Sequence, residues 1–418
     1  MRNKIVDHSW DFRIADTKYS THGFHSYPAM MIPQIARRLI NKYSKENDVI
    51  LDPFCGSGTV LVESKILGRN SYGIDINPLA LLLSKVKTTP INPKTLQNEF
   101  KGLIAKIEED IRDLNFRLKD VETPRFFNID YWFKPNVIKE LTIIKNCIDQ
   151  INNKDIRDFF LVPFSETVRV VSNTKTSEFK LIRIPEKRLS RYNPSALLTF
   201  KEKAQANIER MKEFYKKYNS NVWVKILDED TRKKTSIPSK SINLVVTSPP
   251  YGDSRTTVAY GQFSRLSLQW LGLDGEKSKS IDKKSLGGIP TKNLNHSLNS
   301  EALNQVIEKI KKEDEKRVKD VLSFYIDLND CMKEIDRVME DNGHICMVVG
   351  NRTVKKIQIP TDEIIIELGA ELGFKHIKTI VRNIPNKRMP SKNAPSNIPG
   401  EVGETMSREN IVIMGKIY

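Results

Sequence analysis

Cysteine is scarce and scattered in this 418-residue chain: Cys55, Cys147, Cys331 and Cys346 form no C-x-x-C pair and have no histidine at ligand spacing. That argues against a disulfide framework and a structural zinc site, predicts no bound metal, and fits a reducing cytoplasm. No apolar leader region follows Met1-Arg2-Asn3-Lys4, and no run approaches the ~18 uncharged apolar residues of a membrane helix. Neither secretion nor membrane spanning is expected. Internal repeats and low-complexity tracts are missing as well. Acidic residues fall short, with 52 Asp plus Glu against 68 Lys plus Arg, a net charge of +16. The excess favours a polyanionic partner, nucleic acid ahead of an anionic membrane surface, although solubility alone would also account for it. At this length one large domain with inserted modules is expected, its core needing no help from disulfides or metals.

What is present is an alternation of short apolar runs with amphipathic stretches. Residues 49–51 run into Asp52, 71–74 into Asp75, 222–227 into Asp228 and 242–246 into Thr247, with 343–349 a fifth run. Between them, residues 58–67 and 324–339 have helical periodicity. Such alternation predicts an α/β, doubly wound, Rossmann-like domain on a mostly parallel sheet. Residues 1–85 supply its first part and 221–418 its last. A largely helical, Lys- and Arg-rich insertion over 86–220 interrupts it. A polar insertion near 272–318 reads as a loop with one charged helix. Alternation over 375–380 and 411–414 predicts an antiparallel hairpin at one sheet edge.

Asp52-Pro53-Phe54-Cys55-Gly56-Ser57-Gly58-Thr59 links the first strand to the first helix. Gly56 and Gly58 allow a tight turn and close approach of a ligand to the free N–H groups of a helix start. A tight strand–helix turn would use the same glycines; a Walker A loop is excluded because Gly-Lys-Ser/Thr is missing. Asp75 ends the next strand, where a carboxylate can accept from both ribose hydroxyls of an adenosine-containing cofactor; a helix cap is the bland alternative. These residues, with Gly73-Ile74-Asp75-Ile76-Asn77-Pro78, resemble the S-adenosylmethionine-binding signature of DNA amino-methyltransferases. His25-Ser26-Tyr27-Pro28-Ala29 is similar to that family's additional cofactor motif, with Met30 where a Lys is common. The resemblance implies S-adenosylmethionine held by Tyr27, Pro28, Asp52, Pro53, Phe54, Cys55, Gly56, Gly58, Thr59, Asp75 and Asn77. It places Asp228, ahead of Asp230, at the cofactor's adenine amine; either could equally be a turn residue. Cys55 reads as a small packing residue.

Thr247-Ser248-Pro249-Pro250-Tyr251 is the most specific signal in the chain. Two prolines fix a rigid extended turn and remove two donors, leaving carbonyls free. An exocyclic base amine is a poor nucleophile because its lone pair is delocalised into the ring. Ser248 and the Pro249 carbonyl can accept its two N–H bonds and draw the nitrogen toward a nucleophilic state, while Tyr251 can stack on a base taken out of the duplex. The catalytic group is thus Ser248, Pro249, Pro250 and Tyr251. If the sheet is doubly wound, the strands ending at Asp52 and Ser248 are neighbours at the switch point.

Ser at the first position is similar to the N4-cytosine branch of the family, whereas Asp or Asn marks most N6-adenine enzymes. A 5-methylcytosine enzyme needs a Pro-Cys loop, which is lacking. The resemblance, over roughly 25–85, 222–270 and 320–416, implies a restriction-modification methylase acting on duplex DNA in a bacterial or archaeal cytoplasm. A restriction endonuclease would be a separate protein, since no nuclease motif is evident, and monomer and dimer both fit. An N6-adenine enzyme, an RNA-modifying relative and a non-catalytic DNA-binding protein on the same fold are the rivals. Arg255, Lys387 and Arg388, and the stretch from Lys175 to Arg191, are candidate DNA contacts, although a charge run is often only a solvated face. Target recognition falls to the 86–220 insertion, with 272–318 as its rival.

Overall fold

A computed structural model describes residues 3–116, 121–176, 178–253, 256–273, 277–295, 297–385, 392–393, 403–404 and 406–416. Its main strands are β1 (Lys4–Val6), β2 (Val49–Asp52), β3 (Asn70–Ile74), β4 (Val224–Leu227), β5 (Ile242–Thr247), β6 (Met339–Val349), β7 (Lys375–Asn383) and β8 (Arg408–Gly415). Among the described residues they form one sheet in the order β1-β7-β8-β6-β5-β2-β3-β4. Pairing is parallel from β4 to β6, and β8 runs against both β6 and β7. The mostly parallel, doubly wound sheet expected from the apolar runs is therefore present.

One detail of that expectation is corrected. β7 and β8 do pair antiparallel, but β1 lies outside β7, in parallel, with Lys4 opposite Thr379. β7 is consequently an interior strand, as is β8 between β7 and β6. Three residues with half-exposed Ile5 and Val6 carry too little apolar pattern to be read as a strand. Their place is held instead by the Asp7 N–H on the Val381 carbonyl (3.1 Å) and by Lys4 on Asp362 (2.7 Å).

Alternation along the strands sets the layers. Leu244 and Val246 of β5 pack with Ile35, Ala36, Leu39 and Ile40 of α1 (Pro33–Tyr43). Val245 faces the other way, into a cluster with Ile345, Met347 and, from a long helix, Leu328, Met332 and Ile335. Full burial of each such side chain contributes about 1.5–3 kcal/mol, so helices cover both faces. Two short helices follow the first strands: α2 (Thr59–Ile66) and α3 (Pro78–Thr88), the latter opened by Pro78 and capped by Asn77.

The insertion supplies α4 (Pro93–Asn115), α5 (Pro135–Asp149), α6 (Lys154–Val171) and α7 (Ala196–Tyr215). They share one apolar cluster with Tyr27, Leu79 and Leu83 and with Phe263 and Trp270 of α8 (Tyr260–Leu271). The insertion is thus fused to the sheet's helical layer rather than hung from it. The polar stretch near 272–318 holds two helices, α9 (Lys277–Lys284) and α10 (Glu301–Glu313), where one was expected. Buried Leu303, Val306, Ile307 and Ile310 recur at helical spacing in α10 and seat it on α11 (Glu315–Val338) and α12 (Thr361–Glu371). Among the described residues no helix is long and apolar enough to cross a membrane.

Candidate active site at the sheet switch point

β2 and β5 are parallel neighbours, with Ile50 opposite Leu244 and Leu51 opposite Val245. Their ends therefore deliver the glycine loop and the Ser-Pro-Pro-Tyr loop side by side. Thr247 Oγ1 ties the two by donating to Asp52 Oδ1 at 2.7 Å. An open cleft lies here, continuous with solvent. Tyr27, Pro28, Asp52, Pro53, Phe54, Cys55, Gly56, Thr59, Asp75, Asn77, Ser248 and Pro250 all line it.

The glycine loop is shaped by two left-handed residues, Gly56 (φ +49°) and Gly58 (φ +84°). Gly58 caps α2 from behind the cleft, and a Cβ there would lie 2.9 Å from Ser84 Cα. The Gly56 N–H donates to Asp75 Oδ2 at 2.9 Å, and the Asn77 N–H to Asp75 Oδ1 at 2.8 Å. A carboxylate has about four acceptor positions, so these bonds leave Asp75 room to accept from a ligand hydroxyl. Asn77 also donates to the Tyr27 hydroxyl (3.0 Å) and to Ser264 Oγ (2.8 Å). Tyr27 stacks on Tyr260, ring centroids 6.0 Å apart, and the pair makes an aromatic wall.

Burial pushes the Asp52 carboxyl up to about 7 and that of Asp75 up to about 6, only partly offset by the hydrogen bonds each accepts. Burial also drives the Cys55 thiol well above its ordinary value, which suits packing and not nucleophilic attack. Among the described residues no group of His, Cys, Asp and Glu could hold a metal ion.

In the Ser-Pro-Pro-Tyr loop, Ser248 Oγ donates to the Val348 carbonyl at 3.0 Å. Its lone pairs are thereby left as the polar feature it offers the cleft. Pro249 and Tyr251 stand off the cleft lining, and the Tyr251 hydroxyl donates to Glu409 Oε1 at 2.9 Å. Asp228 is exposed and off the lining; its neighbours Glu229 and Asp230 reach the wall instead. Asp230 is engaged by Arg232 at 2.7 Å, and Arg232 also holds Asp327 at 3.0 Å. Arg255, Lys387 and Arg388 lie outside the described residues.

Sequence reasoning missed several residues of the cleft: Tyr260, Thr231 and Arg232, and Ile281, Lys284, Ser285 and Leu286 from the end of α9 onward. Tyr260 opens an amphipathic helix nine positions after Tyr251, a signal that any core aromatic would give. The α9 residues sit in the polar stretch near 272–318, read from its composition as a loop with one charged helix.

A family model described as DNA methylase matches residues 1–85 and 242–409 of this chain. Among curated proteins, the Type II methyltransferase M.MvaI of Kocuria varians is 43% identical over 97% of this chain and 93% of its own length. The Type II methyltransferase M.BsoBI of Geobacillus stearothermophilus is 23% identical over 96% and 87%. A solved SAM-dependent methyltransferase from Methanosarcina mazei is 10% identical over 94% of this chain and 99% of that one, with a TM-score of 0.32.

Proposed function

Since the chain belongs to the DNA methylase family of N6 and N4 methyltransferases, we propose that it transfers a methyl group from S-adenosylmethionine to the exocyclic N4 amine of cytosine in duplex DNA. The observation that carries the reading is Ser248, a hydroxyl acceptor at the end of β5, lining the same cleft as Asp75 and the glycine loop. When bound, S-adenosylmethionine supplies an electrophilic methyl group on a sulfonium. Asp75 offers open lone pairs to ribose hydroxyls, Tyr27 and Tyr260 offer an aromatic wall, and the loop from Asp52 to Gly56 offers backbone close to the ligand. Ser248, on the cleft lining, accepts from the target amine, which localises its lone pair without a covalent enzyme–base bond. Ser rather than Asp or Asn at this position favours cytosine over adenine.

The partner is duplex DNA, read in part by the insertion. Lys175, Lys180, Lys187, Arg188 and Arg191 are exposed on one stretch of it. Beside them the Arg183 guanidinium lies 4.5 Å from the centre of the Tyr131 ring. That stretch reaches the cleft wall through Phe179 on Phe263 (6.2 Å) and Phe263 on Tyr27 (5.7 Å). Exposed cations with an aromatic among them suit phosphate contact beside a base-reading edge. The Type II relatives favour a cytoplasmic restriction-modification role, with any cognate endonuclease a separate protein. The test is mass spectrometry of nucleosides from the DNA of cells expressing the protein. N4-methylcytosine is expected; N6-methyladenine instead would overturn the base assignment, and neither product would overturn the reaction.

A further inference from the structure

Behind the cleft, a continuous series of hydrogen bonds runs from the N-terminal segment into the catalytic loop. Arg382 on β7 is 1% exposed; its Nε donates to the Trp10 carbonyl at 2.8 Å and its Nη2 to the Asp11 carbonyl at 3.2 Å. Its Nη1 pairs with Oε2 of Glu409, the residue directly across from it on β8. The other Glu409 oxygen accepts the Tyr251 proton at 2.9 Å. Ser248 Oγ is placed to donate to the Val348 carbonyl at 3.0 Å and, at the longer distance of 3.4 Å, to the Tyr251 oxygen.

A hydroxyl has one proton and two lone pairs, and an ionised carboxylate only accepts. Glu409 therefore commits the Tyr251 proton away from Ser248, and Tyr251 meets Ser248 with a lone pair. Tyr251 therefore gives Ser248 Oγ no proton, and the Ser248 oxygen is left an acceptor for an incoming N–H. We propose that Glu409, held by Arg382, is a positioning residue for methyl transfer: by directing the Tyr251 hydroxyl it keeps Ser248 an acceptor. The inference rests on the functional reading above, in which Ser248 accepts from the target amine.

Glu409→Gln keeps the shape and reverses the logic. Arg382 has only protons to offer, so the new amide turns its oxygen to Arg382 and its NH2 to Tyr251. The Tyr251 proton then swings to Ser248 Oγ and fills a lone pair that the amine needs. Tyr251→Phe removes that proton altogether.

The experiment compares full-length wild type, E409Q, Y251F and E409Q/Y251F in single-turnover transfer of labelled methyl from S-adenosylmethionine to unmodified duplex DNA. Cofactor affinity and melting temperature are measured alongside. E409Q is expected to slow transfer about tenfold or more at unchanged cofactor affinity, and the double variant to recover the smaller loss of Y251F alone. A role in packing alone gives no such rescue. E409Q at the wild-type rate, or a double variant slower than both singles, overturns the proposal. Where E409Q does not fold, Glu409→Ala frees the same proton and gives the same rescue test with Y251F. A wild-type chain that methylates no DNA overturns the functional reading and this inference with it. An active wild type beside an equally active E409Q overturns the inference alone.

Discussion

In the proposed reaction, the carboxyls of Asp52 and Asp75 and the hydroxyl of Ser248 carry the chemistry of the cleft. Ser248 lines the cleft, and its Oγ donates to the Val348 carbonyl at 3.0 Å. Ser248→Ala should therefore lower the transfer rate about 10²–10³-fold, as loss of a preorganised charge-stabilising group does, and leave cofactor affinity unchanged. An equal loss of both, measured by single-turnover kinetics beside cofactor titration, would argue that Ser248 is merely structural. Asp52 and Asp75, raised to about 7 and about 6, add a pH dependence. Their raised values mean that the unliganded fold holds protons the unfolded chain has released. Fold stability from these groups accordingly drops as pH rises from the ordinary carboxylate range to about 7. A ligand that needs the ionised carboxylates behaves oppositely. Cofactor affinity should be greatest above about pH 8 and weaken through 7 and 6, by up to about tenfold per pH unit for each proton taken up. A dissociation constant flat from pH 5.5 to 8.5 would show, on this linkage argument, that neither carboxylate receives the ligand.

Elements hold those residues by backbone geometry that few side chains tolerate. Gly58 has φ +84° and Ser84 backbone against its missing Cβ, so Gly58→Ala should cost about 1–3 kcal/mol and displace the start of α2. At Gly56 an added Cβ meets only the Tyr27 ring, at 3.4 Å, so Gly56→Ala should melt closer to the wild type. Calorimetry of the pair decides it; equal melting temperatures would remove the argument. The central strands were legible because each is an apolar run ending in a polar residue that the loop chemistry needs. The adjacency of Asp52 and Ser248 followed from the logic of a doubly wound sheet. Glu409 and Arg382 were not legible, since they meet Tyr251 only through the pairing of β7 with β8. Nor was the α9 contribution to the cleft, because a polar helix and a polar loop share a composition.

At the scale of the molecule, the +16 charge makes binding to DNA salt-dependent. If the exposed cations of the insertion meet phosphates, changing Lys180, Lys187 and Arg188 together to Ala should flatten the dependence of log affinity on log salt by about 2–3 units, with cofactor binding intact. A slope equal to the wild type's would place the DNA elsewhere. The sheet itself joins segments remote in sequence: Lys4 pairs with Thr379, about 375 residues on. At roughly 5–20 residues per second, a ribosome makes β1 some 20–75 s before its partner strand emerges. Trp10 and Asp11, just after β1, hold the arginine that holds Glu409. If Glu409 directs the Tyr251 hydroxyl as proposed, that alignment needs segments about 370 residues apart in sequence to meet, and a chain cut short before β7 would lack both Arg382 and Glu409.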